Sequence, residues 1–162
     1  TTTSPVMLDF GAGGKGYLVD LVGNLLKSEK ISNFLIDAGG DMLHHGALDE
    51  KIKVGLENPL NTKQVIGTIE LSNNSICGSA GNRRKWGQYH HIINPKTLTS
   101  PTDVAAVWTI SESALIADCM STVLYLDRSE QAKNAYSCEY LILYSDMTFE
   151  KSQNFTAELF IG

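Results

Sequence analysis

The sequence predicts a single α+β domain, residues 1–162, in which helices pack on a mostly antiparallel sheet. Its 162 residues suit one domain, and a hydrophobic share of 43% can supply a core. Many short segments alternate apolar and polar residues as strands do, and a few longer segments have helical spacing. Strands and helices follow each other without regular βαβ alternation, which favours an α+β domain over a parallel α/β one.

The strand-like segments are short and are mostly joined by short turns. In chain order they are residues 6–10, 33–37, 51–57, 65–71, 75–78, 90–93, 104–110, 140–144 and a last segment from Phe149. The alternation is clearest in 51–57 and 65–71 and is typical of strands with one buried face.

Three segments have helical patterns. Residues 15–27 carry apolar side chains at the spacing of an amphipathic helix. These side chains are Tyr17, Leu18, Leu21, Val22, Leu25 and Leu26. Residues 111–126 form the second helix, with Ser111 as the N-cap and Glu112 in the first turn, where the helix dipole favours a carboxylate. Residues 129–135 form a shorter third helix.

Composition and charge exclude several classes of protein. The formal net charge is −5 without a basic run, so we expect no nucleic-acid partner. A diphosphate remains a suitable ligand, because one metal ion and a few N–H groups can hold it. No apolar run is long enough to span a membrane and no signal peptide is visible, which leaves the compartment open. The abrupt start suggests a chain cut from a longer parent, and three scattered cysteines fit core packing better than a disulfide framework.

Two glycine-rich segments contain candidate ligand-binding residues. Residues 8–17 read LDFGAGGKGY, so a strand end, a glycine turn and a helix start bring free N–H groups and Lys15 together. That combination suits a phosphate, although Gly16 stands where a Walker A loop has Ser or Thr. Residues 37–41 read DAGGD, in which two carboxylates flank glycines that allow a flat ring or a backbone to approach. A tightly packed turn is the alternative for both segments.

Asp118 and Thr122 form the candidate metal site. Their i, i+4 spacing places a carboxylate and a hydroxyl on one face of the second helix, and both offer oxygen to a hard cation such as Mg²⁺. The rest of this helix is apolar, so the acid is costly to bury unless it is paired or bound to metal. The alternative is an exposed Asp with a Thr that bonds back to the preceding turn.

His90 and His91 follow each other on a predicted strand, so only one of them can face a common site. Arg83 and Arg84 precede them and either bind phosphate or form a solvated turn. We expect His91 to face the site with Ile93, and His90 to point to the opposite face. A hydrogen-bonded structural histidine is the alternative.

The order and spacing of five segments resemble the ApbE family of FAD:protein FMN transferases. The family patterns are LDxGAIAKGYAVD, DAGGD, TSGxYxR, HIIDPRTGxP and ADALATAL. The matching segments here are residues 8–20, 37–41, 79–84, 91–101 and 117–124. The resemblance covers most of the chain and depends on the whole set.

The resemblance implies a Mg²⁺-dependent transferase with a T-fold-type architecture that cleaves the FAD pyrophosphate. It would link FMN through phosphate to a Thr or Ser of an acceptor protein. The implied metal ligands are Ala12, Asp118 and Thr122; the implied catalytic residues are His91 and Asp118. The implied residues around FAD are Gly11, Ala12, Lys15, Asp37, Gly39, Gly40, Asp41, Arg84 and His91. We expect the first two helices to lie on one side of the sheet, since their motif ends must meet at one ligand.

The chain departs from the family patterns at five positions. These are Gly13 and Gly14 for Ile-Ala, Ala80 for Ser, Asn94 for Asp and Leu98 for Gly. We expect this chain to lack the substantial N-terminal portion of typical members, which leaves open a further segment, a second chain or a homodimer that completes the site. The alternative function is a non-catalytic flavin or nucleotide binder that kept the fold and lost transfer. Family members are often exported and membrane-associated.

Overall fold

The computed structural model describes Thr3, Pro5 and residues 9–47 and 50–160. Its helices are α1 (Gly14–Ser28), α2 (Ala114–Leu126) and α3 (Glu130–Lys133). Its strands are β1 (Phe34–Asp37), β2 (Met42–His45), β3 (Ile52–Glu57), β4 (Val65–Leu71), β5 (Ser75–Ala80), β6 (Lys85–Trp86), β7 (Tyr89–His90), β8 (Val104–Ser111), β9 (Glu139–Tyr144), β10 (Phe149–Lys151) and β11 (Glu158–Leu159). Most of the strand predicted at residues 6–10 lies outside the described residues. Within the described residues, no helix is both long and apolar enough to cross a membrane.

The sheets are antiparallel, which confirms the predicted α+β class. The larger sheet has six strands in the order β1-β2-β5-β8-β9-β10, and a second sheet has the order β11-β4-β3. A short hairpin pairs β6 with β7. Every pairing between these strands is antiparallel.

α1 and α2 lie side by side on one face of the six-stranded sheet, as expected. Leu43 of β2 contacts α1 at Gly23, and the hydroxyl of Thr109 on β8 donates to a carbonyl of α2 at 2.5 Å. The strand registers pair Leu43 with Ser75 and Ser75 with Ser111, which lies two residues from Thr109. Directly paired residues share a face, so both helices cover the same one.

α1 packs through its small residues and not through the apolar stripe read from the sequence. Its buried residues are Gly16, Val19 and Gly23. A Cβ at Gly16 would overlap the carbonyl oxygen of Ala114, so only glycine lets α2 come this close. The stripe residues with exposures from 48% to 59% are Tyr17, Leu18, Leu21 and Leu25. The predicted helix is confirmed, but its packing face is a different one.

α2 begins later than predicted, because β8 continues through Ser111. Ser111 still pairs with Ser75 of β5, so its backbone belongs to the sheet. Ser113 is the actual N-cap, and its Oγ accepts from the N–H of Ile116 at 3.3 Å. Glu112 therefore precedes the helix and is not part of its first turn. Likewise, α3 covers only the middle of the predicted segment 129–135.

The second sheet covers the opposite face of the six-stranded sheet. Leu56 of β3 and Ile69 of β4 pack with Ile76 and Leu141 of the larger sheet in one core cluster. β3 alternates between buried and exposed side chains, as its sequence predicted. The larger sheet is thus buried between two helices and a smaller sheet.

Candidate functional site

A cavity of about 850 Å³ brings together most of the predicted site residues. The predicted residues that line it are Gly11, Ala12, Lys15, Gly39, Gly40, Arg84, His91, Asp118 and Thr122. Asp37 and Asp41 are not among the lining residues. The volume lies within the range of small-molecule binding sites.

The cavity crosses the free edge of β5. Among the described residues, β2 pairs with β5 only at Ile76 and Ser75, so the rest of β5 has β8 alone as its neighbour. Gly78, Ser79 and Ala80 line the cavity at this edge. α2 lies on one side of the edge and β3 on the other, so a long ligand can contact both faces of the sheet.

Asp118 is bound by the first turn of α1. The N–H of Gly16 donates to its Oδ2 at 2.9 Å. Gly16 is the third residue of α1, so its N–H belongs to the first turn, whose N–H groups have no partner within the helix. No described N–H donates to the carbonyl of Ala12, which precedes the helix, so its oxygen is free to bind a ligand. Asp118 is only 4% exposed, and burial raises the pKa of its carboxyl group, while the Gly16 N–H partly offsets that effect.

The donor set at this point fits Mg²⁺. The Ala12 carbonyl, the Asp118 carboxylate and the Thr122 hydroxyl all present oxygen, which Mg²⁺ prefers. Oγ1 of Thr122 lies 3.2 Å from Oγ of Ser79 on β5, and this contact orients the hydroxyl. A buried carboxylate beside a free carbonyl is costly without a cation, and these two groups are the ones that would hold it.

Lys15 lies at the rim of the cavity and is held there by Asp41. The Lys15 side chain is 49% exposed, and its ammonium group forms an ion pair with the carboxylate of Asp41, whose side chain is 1% exposed. Asp41 therefore positions Lys15 and does not itself line the cavity. The half-exposed Lys15 side chain lines the cavity and can contact an anionic ligand.

The loop between β1 and β2 presents its glycines to the cavity. Oδ1 of Asp37 accepts from the N–H of Gly40 at 2.8 Å, so this carboxylate stabilises the turn. Gly39 and Gly40 have φ of 77° and 102°, which side chains rarely adopt. The two acids of the DAGGD segment thus shape the site, while its glycine backbone lines it.

His90 is a structural residue with both ring nitrogens engaged. Its Nδ1 accepts from the N–H of Ile92 at 3.3 Å, so Nε2 carries the proton and donates to the Pro101 carbonyl at 3.0 Å. The ring packs edge-on against Tyr125 with centroids 5.6 Å apart. The histidine is 7% exposed and lies outside the lining of the large cavity.

His91 faces the cavity, but strand alternation is not the reason. β7 ends at His90, so residues 91–93 are not a strand, and the strand predicted at 90–93 is wrong beyond its first residue. Ile92 and Ile93 both line the cavity, although the alternation placed them on opposite faces. Nδ1 of His91 is buried, and no described residue forms a hydrogen bond with it.

Two effects keep the His91 imidazole neutral. Burial, and then the charge of the neighbouring Arg84 guanidinium, lower the pKa of His91 below 6.5. Arg84 is exposed at the mouth of the cavity, and its carbonyl accepts from the N–H of His91 at 3.1 Å. A neutral imidazole with an unpaired nitrogen can accept a proton at neutral pH.

Asp20 is a site-building residue that the sequence reading missed. One carboxylate oxygen accepts from the N–H of Ala114 at 2.8 Å and the other from the N–H of Leu115 at 3.0 Å. The Ser113 hydroxyl donates to it at 2.7 Å. A residue of α1 therefore caps α2, which fixes the helix that carries Asp118. Its position at the end of the LDxGAIAKGYAVD-like segment was the signal that could have revealed it.

Residues 1–141 match the sequence model of the ApbE family. The chain belongs to the ApbE family. Among its relatives, the FAD:protein FMN transferase of Buchnera aphidicola subsp. Baizongia pistaciae is 33% identical over 128 residues, covering 74% of this chain and 37% of the relative. The enzyme of the same name from Escherichia coli K12 is 26% identical over 145 residues, covering 85% of this chain and 41% of the relative.

Solved ApbE structures have the same fold. The crystal structure of the ApbE protein from Thermotoga maritima gives a TM-score of 0.83 at 25% identity, covering 91% of this chain and 52% of that protein. The flavin transferase ApbE from Vibrio cholerae gives a TM-score of 0.72 at 24% identity, covering 91% of this chain and 51% of that protein. The chain thus spans about two fifths of the curated relatives and about half of the solved proteins.

One departure from the ApbE patterns has a partner in the structure. A Cβ at Gly13 would lie 2.6 Å from Sγ of Cys119 and 3.1 Å from Cδ1 of Leu115. The family patterns have Ile at position 13 and Ala at position 119. In this chain Cys119 is larger than that Ala, and its sulfur fills the space that a side chain at position 13 would need.

Two further departures lie in the turn after His91. Oδ1 of Asn94 accepts from the N–H of Lys96 at 2.9 Å, a role that an Asp carboxylate would fill equally well. Leu98 has a φ of 57°, in the region where glycine is favoured, which explains the Gly of the family pattern. Neither side chain lines the cavity, so these departures leave its donor set unchanged.

Proposed function

We propose that the chain binds FAD together with Mg²⁺ and transfers FMN to a Thr or Ser of an acceptor protein. The observation that carries this proposal is that Ala12, whose carbonyl accepts no hydrogen bond from the described residues, lines the same cavity as Asp118 and Thr122. These are the oxygen donors that the ApbE resemblance implies as metal ligands. The names of the relatives support flavin transfer as the reaction.

The pyrophosphate of FAD would lie at the charged end of the cavity. Lys15 offers the ammonium group of a half-exposed side chain there, and the backbone of residues 11–14 leads into the N-terminus of α1, where the helix dipole favours anions. Asp41 holds Lys15 in place, and Arg84 adds a second cation at the mouth. When bound, Mg²⁺ would neutralise charge on the diphosphate and stabilise the departing phosphate.

His91 is the base in this scheme. The acceptor hydroxyl oxygen forms a bond to the phosphorus on the FMN side while the bond from that phosphorus to the AMP oxygen breaks. The hydroxyl proton passes to the His91 imidazole, and AMP leaves with the electron pair of the broken bond. Because burial and Arg84 keep the imidazole neutral, the base is ready at pH 7.

Intact-mass measurement tests this function directly. The chain is incubated with FAD, Mg²⁺ and a peptide that contains an Asp-x-x-Ser/Thr-Gly-Ala-Thr-like segment, and we expect a peptide mass increased by one FMN. His91→Gln and Asp118→Asn serve as reduced-activity variants, and Glu112→Gln serves as a control that removes an exposed charge near α2. Tight FAD binding without any FMN adduct would favour the alternative, a flavin binder that has lost transfer.

A further inference from the structure

A second, smaller cavity lies beside the large one, and we call it the side cavity. Its volume is about 270 Å³, and Pro59 and Asn82 line both cavities. His90 lines the side cavity, whereas the next residue, His91, lines the large one. The ring centroids of these two histidines are 6.3 Å apart. Small-molecule sites usually measure about 300–1,000 Å³, so the side cavity suits a side chain of a larger partner better than a free ligand.

The floor of the side cavity is fixed by hydrogen bonds within the protein. The Tyr125 hydroxyl donates to the Val104 carbonyl at 2.8 Å, and Nε2 of His90 donates to the Pro101 carbonyl at 3.0 Å. All four residues line the side cavity. Because these polar groups already bond to each other, the groups that recognise a ligand must lie at the rim.

Lys85 provides the charge at the rim. It is the one Lys, Arg, Asp or Glu among the described residues that line the side cavity. It is exposed, and none of the ion pairs between described residues includes it. Lys85 of β6 is paired with His90 of β7, and directly paired residues share a face, so both side chains lie on the cavity side of the hairpin.

The chemistry of this rim fits a carboxylate. Gln88, in the turn of the same hairpin, also lines the side cavity, and its side-chain amide can donate beside the Lys85 ammonium group. Hydrogen bonds from a charged donor to a carboxylate are among the strong ones in proteins. No described Asp or Glu lines the side cavity to compete for these donors.

The sequence around both cavities has the same charge preference. No Asp or Glu occurs in residues 71–102, although the chain as a whole has a formal net charge of −5. The same stretch contains four basic residues, Arg83, Arg84, Lys85 and Lys96. A surface of this sign attracts an acidic partner and repels a basic one.

Resting on the proposed function, we infer that the side cavity binds an acidic side chain of the acceptor protein and that Lys85 selects it. The acceptor hydroxyl has to reach His91 in the large cavity, so the adjoining acceptor residues lie over the β6–β7 hairpin. A separation of 6.3 Å corresponds to about two residues of extended chain at about 3.3 Å each, which places the acidic residue a few positions from the accepting Thr or Ser. Lys85 does not line the large cavity, so its charge is available to the acceptor and not to the FAD pyrophosphate.

Acceptor kinetics with matched charge changes test this inference. FMN transfer is measured at saturating FAD and Mg²⁺ with the acceptor peptide of the mass assay, made with Asp as its only acidic residue, and with versions in which that Asp is Asn or Lys. The proteins are the wild type, Lys85→Gln, Lys85→Glu and the control Lys63→Glu. Lys63 is exposed and lines neither cavity, so its variant makes the same charge change away from the site. Circular dichroism and FAD affinity confirm that each variant is folded and binds flavin.

We expect KM for the Asp peptide to rise about tenfold in Lys85→Gln and further in Lys85→Glu, the size of one lost charged hydrogen bond, with kcat and FAD affinity close to the wild type. The change from Asp to Asn should raise KM by a similar factor on the wild type and have little effect on Lys85→Gln. Lys85→Glu should prefer the Lys peptide, because the charges of the pair are then exchanged.

The inference and the proposed function fail in different ways. Independent effects of the Lys85 and peptide changes, or an equal rise of KM in Lys63→Glu, would overturn the inference while FMN transfer by the wild type kept the proposed function intact. A wild type that binds FAD but transfers no FMN to the Asp peptide would contradict the proposed function, and the inference with it.

Discussion

The N–H of Gly16 donates to Oδ2 of Asp118 at 2.9 Å, across 102 positions of sequence. This hydrogen bond holds the buried carboxylate at the N-terminal turn of α1. The Ala12 carbonyl, which precedes the helix, accepts no hydrogen bond from the described residues. The first turn of α1 therefore binds one oxygen donor of the proposed metal site and directly follows the other.

Asp118→Asn should raise the stability of the metal-free chain while it removes the response to Mg²⁺. Burial raises the pKa of Asp118 above 3.8, so the folded state binds the proton more tightly than the unfolded state. The resulting loss of folding stability is absent well below pH 3.8, grows as the pH rises through the raised pKa, and is fully present above that pKa. Asn avoids this cost, and its side-chain oxygen can still accept from Gly16.

Thermal unfolding at pH 7 with and without Mg²⁺ and FAD measures this. At a concentration 100 times Kd, ligand should stabilise the wild type by about 2.7 kcal/mol and leave Asp118→Asn unchanged. Glu112→Gln, which removes an exposed carboxylate just before α2, should respond to ligand as the wild type does. Equal ligand-induced shifts in the wild type and Asp118→Asn would mean that the metal site lies elsewhere.

Gly13 and Cys119 should show strong coupling in a double-mutant cycle. Gly13→Ala alone places a Cβ against Sγ of Cys119 and should destabilise the chain by about 1–3 kcal/mol through overpacking. In the Cys119→Ala background the same change meets no sulfur and only the end of the flexible Leu115 side chain, so it should cost clearly less. Urea unfolding of the four proteins gives the coupling energy. Additive effects would show that the two positions do not compensate for each other.

The sequence predicted the parts of the fold that local patterns determine. Alternation located β3 and β4, and helical spacing located α1 and α2. The pattern did not predict which side of α1 packs, because tight contact between helices requires small residues and Gly16 carries no hydrophobic signal. β2 was also missed, since Met42–His45 is short and contains two histidines, and its pairing with β1 and β5 makes it a strand.

The resemblance to the family motifs predicted more of the candidate site than the physical chemistry of each separate segment did. His91 was placed correctly in the cavity, although the assumed strand alternation does not exist there. Asp37 and Asp41 were read as ligand-facing acids, whereas one closes a turn and the other pairs with Lys15. Such partners lie far apart in the sequence or depend on loop geometry, so no single segment reveals them.

Arg84→Gln should shift the acid limb of the pH–rate profile, the part in which FMN transfer becomes faster as the pH rises, to higher pH. The Arg84 charge is the second cause, after burial, that lowers the pKa of His91, so its removal lets the imidazole take up a proton at a higher pH. A protonated imidazole cannot accept the proton of the acceptor hydroxyl. The pH dependence of kcat/KM measures the shift. Arg83→Gln is the matched control, because the Arg83 guanidinium pairs with Glu57 and its loss should leave the limb in place. An acid limb that is identical in Arg84→Gln and the wild type would remove His91 as the titrating base.

Substitution of His90 should change mainly the stability of the chain, whereas substitution of His91 should change mainly flavin binding and transfer. His90→Gln breaks a buried pair of hydrogen bonds, to Ile92 and Pro101, and should lower the free energy of unfolding by about 1–3 kcal/mol. Below its melting temperature this variant should still bind and transfer flavin nearly as the wild type does, because His90 does not line the large cavity.

His91→Gln should show the opposite pattern. Its free energy of unfolding should be nearly unchanged, while its free energy of flavin binding or of transition-state stabilisation should fall by about 1–3 kcal/mol, the size of a lost site hydrogen bond. Urea unfolding, FAD affinity and FMN transfer on both variants measure the two effects side by side. A larger loss of transfer in His90→Gln, or equal losses in both, would show that the His91 imidazole does not accept the proton.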